Sequence, residues 1–570
     1  MWHRQLRRTL VRSYHYSTTK NIKPCSMKKL LLALSCFATL ISYSQTLNII
    51  PAPAKATVKP GNFFITPQTK FLLSGSNLEK SANFLNSYLQ KFYGFQLAFA
   101  KHGDKAKNVV ELNFDRLDNK IPGAYEMNID KNKVYIGGDN EEGVFYGIQT
   151  LIQLLPAQPS NNLSIQQCNI IDSPRFAYRG MHLDCGRHFF SVDFIKQYID
   201  FLAMHKMNTF QWHLTEDQGW RIEIKKYPLL TQVGGCRNGT IIGHYPGTGN
   251  TYQQDCGYYT QEQIKDVVQY AADRYITIIP EIEMPGHASA AIAAYPYLSC
   301  FPNEPTTIRP GTFWSASVDG KEVQQTWGVF PDVFVPSDST FTFLENVLDE
   351  VMALFPSHYI HIGGDECPKD YWKKSAFCQQ LIKANNLKDE HGLQSYFIGR
   401  IEKYLNSKGR SIIGWDEILE GGVAPNATVM SWRGEQGGID AAKQHHDVIM
   451  TPTTYVYFDY SQTKNEDSVV IGGYLPVETI YNYEPIPKQL TAEEAKYVLG
   501  GQANVWSEYM SNPAKVEYMI FPRLSALSEV LWSAPANKNW DGFKQRLQTQ
   551  YQRYNLWGVS YNTKGINKGE

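Results

Sequence analysis

The stretch YIHIGGDEC, Tyr359 to Cys367, decides the fold. Four residues read as a buried strand, two glycines follow, and two carboxylates stand side by side where the strand runs out. Neighbouring like charges disfavour each other's ionisation, so a structural site gains little from such a pair. The pattern implies that one carboxylate is charged and the other protonated. The structural alternative is a helix N-terminus with both acids facing its dipole.

Seven further segments read as strands: GMHLD (180–184), MNTFQWHL (207–214), ITIIPEIE (276–283), SIIGWDE (411–417), TVMSWRG (428–434), DVIMTPT (447–453) and GGQANVWSE (500–508). Helical patterns fill the gaps, at 194–205, 264–275, 341–354, 393–405, 439–445 and 514–531. Thr260-x-x-Gln263 and Thr491-x-x-Glu494 are capping boxes, each opening a helix. Strand–helix alternation means parallel strands joined by right-handed crossovers. Eight such units predict an α/β fold, a (β/α)8 TIM barrel over residues 173–535 with enlarged loops. A doubly wound open sheet would want a Gly-rich phosphate loop after an early strand, and none is present.

Before the barrel, residues 45–172 read as a small α+β domain. Helices are expected at 82–94 and 141–155, and YEMNID with KVYIGG forms a hairpin around Asp130-Lys131-Asn132. Nothing in this domain looks catalytic. A short helical tail, 536–570, follows the barrel, with its helix at 540–557 and no separate binding module. Residues 1–44 read as a leader. From Met27, two lysines precede a short apolar run, and Ser42 and Ser44 precede a cut before Gln45, as in a signal peptide. Translation is expected to start at Met27 and the protein to be secreted or periplasmic. Lipoprotein anchoring at Cys36 is the lesser reading, because the apolar stretch before it is very short.

Lysine plus arginine equals aspartate plus glutamate at 55 each, so no basic field offers itself to nucleic acid. No apolar run is long enough to span a membrane. Seven of the nine cysteines lie beyond Gln45; Cys236 and Cys256 flank a Gly-rich loop and could close it, a pairing left open. There is no C-x-x-C and no H-E-x-x-H, and His182, His205 and His213 share no helical face. Neither a metal nor a cofactor is expected.

Costly groups collect where the strands end: Asp184, Arg187, Glu216, Asp217, Glu283, His287, Asp365, Glu366, Trp415, Asp416, Glu417, Trp432, Trp506 and Glu508. Strand C-termini form the active face of such a barrel. Cleavage of a glycosidic bond needs a proton for the leaving oxygen and negative charge near the developing cation. Asp365 and Glu366 offer both, and Gly363 and Gly364 permit the bend that would aim them.

HIGGDE, with LDCGRHFF, HLTEDQGW, EIEMPGHAS, GWDE, SWRG, YVYFDY and NVWSE, closely resembles the family 20 glycoside hydrolases, the β-N-acetylhexosaminidases, from Asn48 to about Trp532. The resemblance implies substrate-assisted catalysis. The sugar's own 2-acetamido oxygen attacks the anomeric carbon and gives an oxazolinium ion. Asp365 would hold the acetamido nitrogen and stay charged. Glu366 would start protonated, give its proton to the leaving oxygen and then activate water. Tyr457 would orient the acetamido oxygen. Arg187 would grip the hydroxyls at C3 and C4, and Glu508 those at C4 and C6. Trp415, Trp432 and Trp506 would wall the sugar, and Asp459 would take a further hydroxyl. Glu216 and His287 would support the acid/base.

Two positions depart from the family. Glu216 stands where Asp is usual, which puts its contact with His287 in doubt or brings Asp217 in. Gln211 replaces a more usual His, in the barrel wall. The implied activity is a retaining exo-β-N-acetylhexosaminidase releasing terminal β-linked N-acetylglucosamine, or N-acetylgalactosamine, from glycoconjugates or chitooligosaccharides. A lacto-N-biosidase-like relative would keep the motifs in a wider pocket. A noncatalytic sugar-binding barrel would first lose Asp365, Glu366 or Tyr457, and all three are intact. A metal-dependent deacetylase would need a metal.

Overall fold

The computed structural model describes residues 47–569 apart from 101–106, 118, 313, 315–318 and 467. The leader reading of residues 1–44 lies outside the described residues.

The leading domain is a seven-stranded mixed sheet in the order Lys55–Ile65, Leu163–Asp172, Tyr125–Ile129, Lys133–Gly138, Val109–Phe114, Lys70–Leu73, Ala98–Phe99. The expected hairpin pairs antiparallel, with Ile129 opposite Val134. Tyr125, Met127 and Ile129 alternate with half-buried residues, the mark of a strand with one face in the core. Helix Glu141–Leu154 packs on this sheet and helix Glu79–Tyr93 packs on it. The Asn140 carboxamide caps the former by accepting from Gly143 N.

The barrel closes as expected. Its strands are β1 (Tyr178–Asp184), β2 (Thr209–His213), β3 (Thr277–Met284), β4 (Tyr359–Gly363), β5 (Ser411–Trp415), β6 (Thr428–Ser431), β7 (Val448–Met450) and β8 (Val498–Ala503). They run parallel in sequence order and close through β8–β1. Period-two alternation puts Ile279, Glu281 and Glu283 on one side of β3. Tyr178, Ile279, Ile413, Met430 and Ile449 fill the barrel interior, and a layer of buried polar groups separates them from the rim.

Two expectations needed correction outside the site. The helix expected at 514–531 is two helices, Pro513–Ile520 and Arg523–Trp532. Pro522 has no N–H to give and forces Phe521 out of the helical region, to φ −100°, ψ 132°. The Thr491 box forms both of its bonds, to Glu494 and from it. It opens only a 3₁₀ turn, Glu494–Tyr497, because β8 begins at the next residue. The Thr260 box opens helix Gln261–Ala272 as expected.

A buried ion pair joins the leading domain to the barrel. Lys206 Nζ lies 2.9 Å from Asp172 Oδ2, and 4.4 Å from the ring centre of Trp532. Asp172 also accepts from Tyr125 Oη at 2.7 Å and Trp532 Nε1 at 2.9 Å. The tail helix Trp540–Trp557 ties both parts together. Arg546 forks onto Glu529 at 2.6 and 2.7 Å and donates to Ile49 O, and Arg553 donates to Asn48 O and Gln153 O.

Candidate active site

The rim is assembled from the ends of different strands. At β1, the Asp184 carboxylate accepts from Gly186 N, Arg187 N, Ser507 N and Ser507 Oγ at 2.9–3.1 Å. This cradle fixes the turn that presents Arg187. Burial would raise Asp184, but Arg187, His213 and the Ser507 backbone hydrogen bond together hold the carboxyl below its ordinary value. The Arg187 guanidinium lies 3.2 Å from Glu216 and 3.5 Å from Asp184, over the Trp506 ring. Behind it, Cys236 and Cys256 form the disulfide that the sequence left open. They face each other across a two-stranded ladder whose next pair is Arg237 and Asp255. Arg237 is ion-paired to Asp255 and donates through Nη1 to Arg187 O at 2.6 Å.

At β4 the chain bends where the glycines allowed. Gly363 has φ 68°, Gly364 φ 90° and Glu366 φ 40°, all left-handed. A Cβ on Gly363 would come within 1.7 Å of Glu283 Oε2. The next helix begins only at Asp370, so the helix-N-terminus alternative for Asp365 and Glu366 falls. His287, itself at φ 48°, stands between the acids and their support. Its Nδ1 is 2.7 Å from Glu216 Oε1 and 3.0 Å from Asp217 Oδ2. Its Nε2 is 3.5 Å from Glu366 Oε2 and 3.7 Å from Asp365 Oδ2. The longer Glu216 therefore keeps its contact with His287, and Asp217 shares it.

Electrostatics follow from these contacts. Burial works against the His287 imidazolium, but Glu216 and Asp217 hold its pKa well above the ordinary value. Burial alone would raise Glu216, yet Arg187 and then His287 hold it well below. Burial pushes Asp365 up to about 6, against the pull of His287. For Glu366 burial is outweighed by the His287 hydrogen bond together with the charges of His287 and Arg187, which draw it below its ordinary value. The protein's own groups thus set the pair in the reverse of the expected sense. Asp365 is the more deeply buried of the two, its side chain 10% exposed against 40% for Glu366, and His287 hydrogen-bonds to Glu366.

Arg187, Asp365, Glu366, Trp415, Trp432, Tyr457, Asp459, Trp506 and Glu508 line one cavity of about 290 Å³. Ligand pockets run from roughly 300 to 1,000 Å³, so this one is small. Trp415 and Trp506 pack at 5.7 Å between ring centres, and Trp432 stacks on Tyr457 at 6.3 Å. Trp432 Nε1 is held by Glu417 Oε2 at 2.8 Å. Arg187 Nε, Asp365 Oδ1, both Asp459 carboxylate oxygens and Glu508 Oε2 are buried without hydrogen-bond partners among the described residues. Buried polar atoms are rarely left unpaired, and here they gather in one place. Burial raises Asp459 and Glu508, each pressed by the other's or a neighbour's charge.

Sequence reasoning missed Thr453, Tyr460 and the Ile471-Gly472-Gly473 loop, which line the same cavity. It also missed the layer beneath. Glu281 accepts from Gln211 Nε2 at 2.6 Å and Trp415 Nε1 at 2.9 Å, and lies 2.8 Å from His213. Gln211, given no role from the sequence, thus holds the carboxylate that holds a pocket wall. His182 and His213, unrelated by spacing, meet inside the barrel at 5.5 Å between ring centres because neighbouring strands set them side by side. His205 is elsewhere, against Phe201 O and Ser525. His182, His213 and Glu281 form one close triad, and His213, Glu216 and Glu283 a second. Both ring nitrogens of His213 face carboxylates, which overcome burial and raise it to about 10.

An eight-stranded parallel barrel carrying paired carboxylates, a guanidinium and three tryptophans at its C-terminal rim defines a barrel glycoside hydrolase. The chain belongs to glycosyl hydrolase family 20: that family's catalytic domain matches residues 176–535 and its domain 2 matches residues 46–173. It is 46% identical to a β-hexosaminidase of Porphyromonas gingivalis over 91% of its own length, but spans only 65% of that protein. A β-hexosaminidase of Vibrio furnissii is 36% identical, over 85% of this chain and 76% of that protein. The crystal structure of the family 20 exo-β-N-acetylglucosaminidase from Vibrio harveyi in complex with N-acetylglucosamine superposes with a TM-score of 0.79 at 32% identity, covering 92% of this chain and 80% of that one.

Proposed function

We propose that the chain is a retaining exo-β-N-acetylhexosaminidase that removes terminal β-linked N-acetylglucosamine, with N-acetylgalactosamine as a second substrate, from glycoconjugates or chitooligosaccharides. The observation that carries this reading is the set of unpaired buried polar atoms at one end of a small aromatic pocket, beside Asp365 and Glu366. Such a set suits a hydroxyl-rich terminal ring. The activities named for the relatives support it.

In this reading Arg187 and Glu508 grip the ring's terminal hydroxyls and Asp459 takes a further one. Asp365 Oδ1 accepts the acetamido N–H, and the Tyr457 hydroxyl donates to the acetamido oxygen. That oxygen attacks the anomeric carbon as Glu366 delivers a proton to the leaving oxygen. The oxazolinium ion forms without an enzyme nucleophile. Water then attacks from the vacated side, giving its proton back to Glu366, and two inversions retain configuration. Binding corrects the charge order of the acid pair. An N–H on Asp365 favours its charged form, and a sugar covering Glu366 removes it from water and raises it. His287 steadies both through Glu216 and Asp217.

A lacto-N-biosidase-like pocket would have to hold two sugars, and a volume of about 290 Å³ favours one. A noncatalytic barrel is disfavoured by the intact acid pair. The leader reading makes secretion or periplasmic residence part of the proposal. Among the described residues no helix is long and apolar enough to cross a membrane. The test is a paired assay on aryl β-N-acetylglucosaminide and aryl β-glucoside, with and without EDTA. Cleavage of the acetamido sugar alone, unaffected by EDTA, is expected. Equal cleavage of both would overturn the assisted mechanism.

A further inference from the structure

The Sγ atoms of Cys300 and Cys378 lie 3.8 Å apart, 78 residues from each other in sequence. Both are thiols, Cys378 buried and Cys300 partly open. The two sulfurs are in contact, and a disulfide needs an S–S distance of ~2.05 Å, so each must move by only about 0.9 Å. Cys378 sits in the first turn of helix Ala376–Ala384, where Ser375 caps its backbone N–H. The chain already carries one disulfide, Cys236–Cys256, and disulfides persist where the surroundings oxidise.

We infer that Cys300 and Cys378 are the site of a second, oxidant-formed disulfide that clamps the loops behind the acid pair. Cys300, the accessible partner, exchanges with a small disulfide oxidant and forms a mixed disulfide, releasing one oxidant thiol. The Cys378 thiolate then attacks the Cys300 sulfur and expels the second oxidant thiol. Two electrons and two protons leave the cysteines, and one oxidant disulfide becomes two thiols.

The position gives the bond a purpose. Cys300 follows Ser299, which bridges to Phe334. Phe334 N donates to Pro285 O, two residues before His287. Phe334 O accepts from Trp372 Nε1, on the helix preceding that of Cys378. The clamp would close a loop that contains all of β4 with Asp365 and Glu366, and join it to the segment behind His287. It touches no cavity-lining residue, so it should act on persistence of the fold and not on substrate affinity.

The experiment incubates the full folded chain in graded mixtures of reduced and oxidised glutathione, quenches with acid, denatures in excess iodoacetamide so that every free thiol is blocked as it is exposed, and maps unreduced peptides by mass spectrometry. The expected result is a linked Cys300–Cys378 peptide pair, with Cys168, Cys185 and Cys367 alkylated. The oxidised protein should also keep activity longer at elevated temperature than the reduced form, at unchanged KM, and Cys300→Ser should abolish that difference while keeping Cys236–Cys256 linked. Alkylation of both cysteines at every potential, a stable glutathione adduct on Cys300, or linkage of either to Cys367 would overturn the inference. The peptide map of the unaltered chain decides the matter even if Cys300→Ser folds poorly.

Discussion

His287 Nδ1 lies 2.7 Å from Glu216 Oε1 while its Nε2 faces Glu366 at 3.5 Å. One imidazolium therefore connects a carboxylate fixed by Arg187 to the carboxylate that must change protonation. The link makes the acid pair's charge depend on Glu216 and Asp217, which do not line the pocket, and it has a consequence for pH. Asp365, raised to about 6, and Glu366, held below its ordinary value, share one proton over the interval between them. In the proposed mechanism the productive form has that proton on Glu366. Its population is largest within the interval and falls on both sides. On an aryl β-N-acetylglucosaminide with a poor leaving group, kcat/KM should form an acidic bell whose alkaline limb falls through about pH 6. A flat profile from pH 5 to 8 would sink this account.

Glu366→Gln removes the proton donor but leaves Asp365. With a poor leaving group the loss should be roughly 10²–10⁴-fold, the usual worth of general acid catalysis. With an activated aryl leaving group the loss should be far smaller, and the alkaline limb should vanish, because only an ionised Asp365 is then required. Equal losses on both substrates would remove Glu366 from the acid role.

Asp365→Asn should behave differently. Both substrate kinds lose turnover, because the charge facing the acetamido group is gone whatever the leaving group. Isothermal calorimetry should still detect N-acetylglucosamine, since Arg187, Glu508 and the tryptophans remain. Full turnover in this variant would exclude assistance by Asp365.

The eight strands were legible because a parallel strand buried on both faces reads as a continuous apolar run, and ITIIPEIE or SIIGWDE can hardly be anything else. All nine residues assigned to the pocket do meet there; seven lie at or shortly after a strand end, while Tyr457 and Asp459 reach it from beyond the short helix Thr453–Val456. The layer below was not legible. On strands buried on both faces, alternation does not say which side is the interior, so Glu281 and Gln211 gave no sign of supporting Trp415. The meeting of His182 and His213 depends on strand register, which spacing along the chain does not carry. Ile471 to Gly473 reach the pocket from an irregular loop with no periodicity to place it. The free protein sets the acid pair in the reverse of the order that adjacency suggested, because the deeper burial of Asp365 and the His287 hydrogen bond to Glu366 are tertiary contacts that the sequence does not carry.

The Lys206–Asp172 pair is a buried charge pair at the joint between the leading domain and the barrel. Replacing one partner of such a pair costs about 3–5 kcal/mol. Lys206→Met should fall at the low end, since Asp172 keeps Tyr125 and Trp532 as donors. The midpoint of urea unfolding should drop accordingly while kcat/KM of the folded enzyme holds. An unchanged midpoint would mean that the pair adds no net stability.

Arg237 offers the sharpest separation of binding from chemistry. It touches nothing in the pocket, yet its Nη1 holds the carbonyl of Arg187 at 2.6 Å. Its own position is set by Asp255, one ladder step from the Cys236–Cys256 bond. Freeing the Arg187 backbone lets the guanidinium wander from the terminal hydroxyls, a contact made in ground and transition states alike. Losing such uniform binding raises KM and leaves kcat. Arg237→Lys should therefore raise KM several-fold on aryl β-N-acetylglucosaminide at nearly constant kcat, and the oxazoline-mimicking thiazoline should weaken in proportion. Cys236→Ser with Cys256→Ser should move the same way but less, since Arg237 keeps Asp255. A fall in kcat at constant KM would place Arg237 in the chemical step instead, and an unchanged KM in both variants would show that the hairpin does not position Arg187 at all.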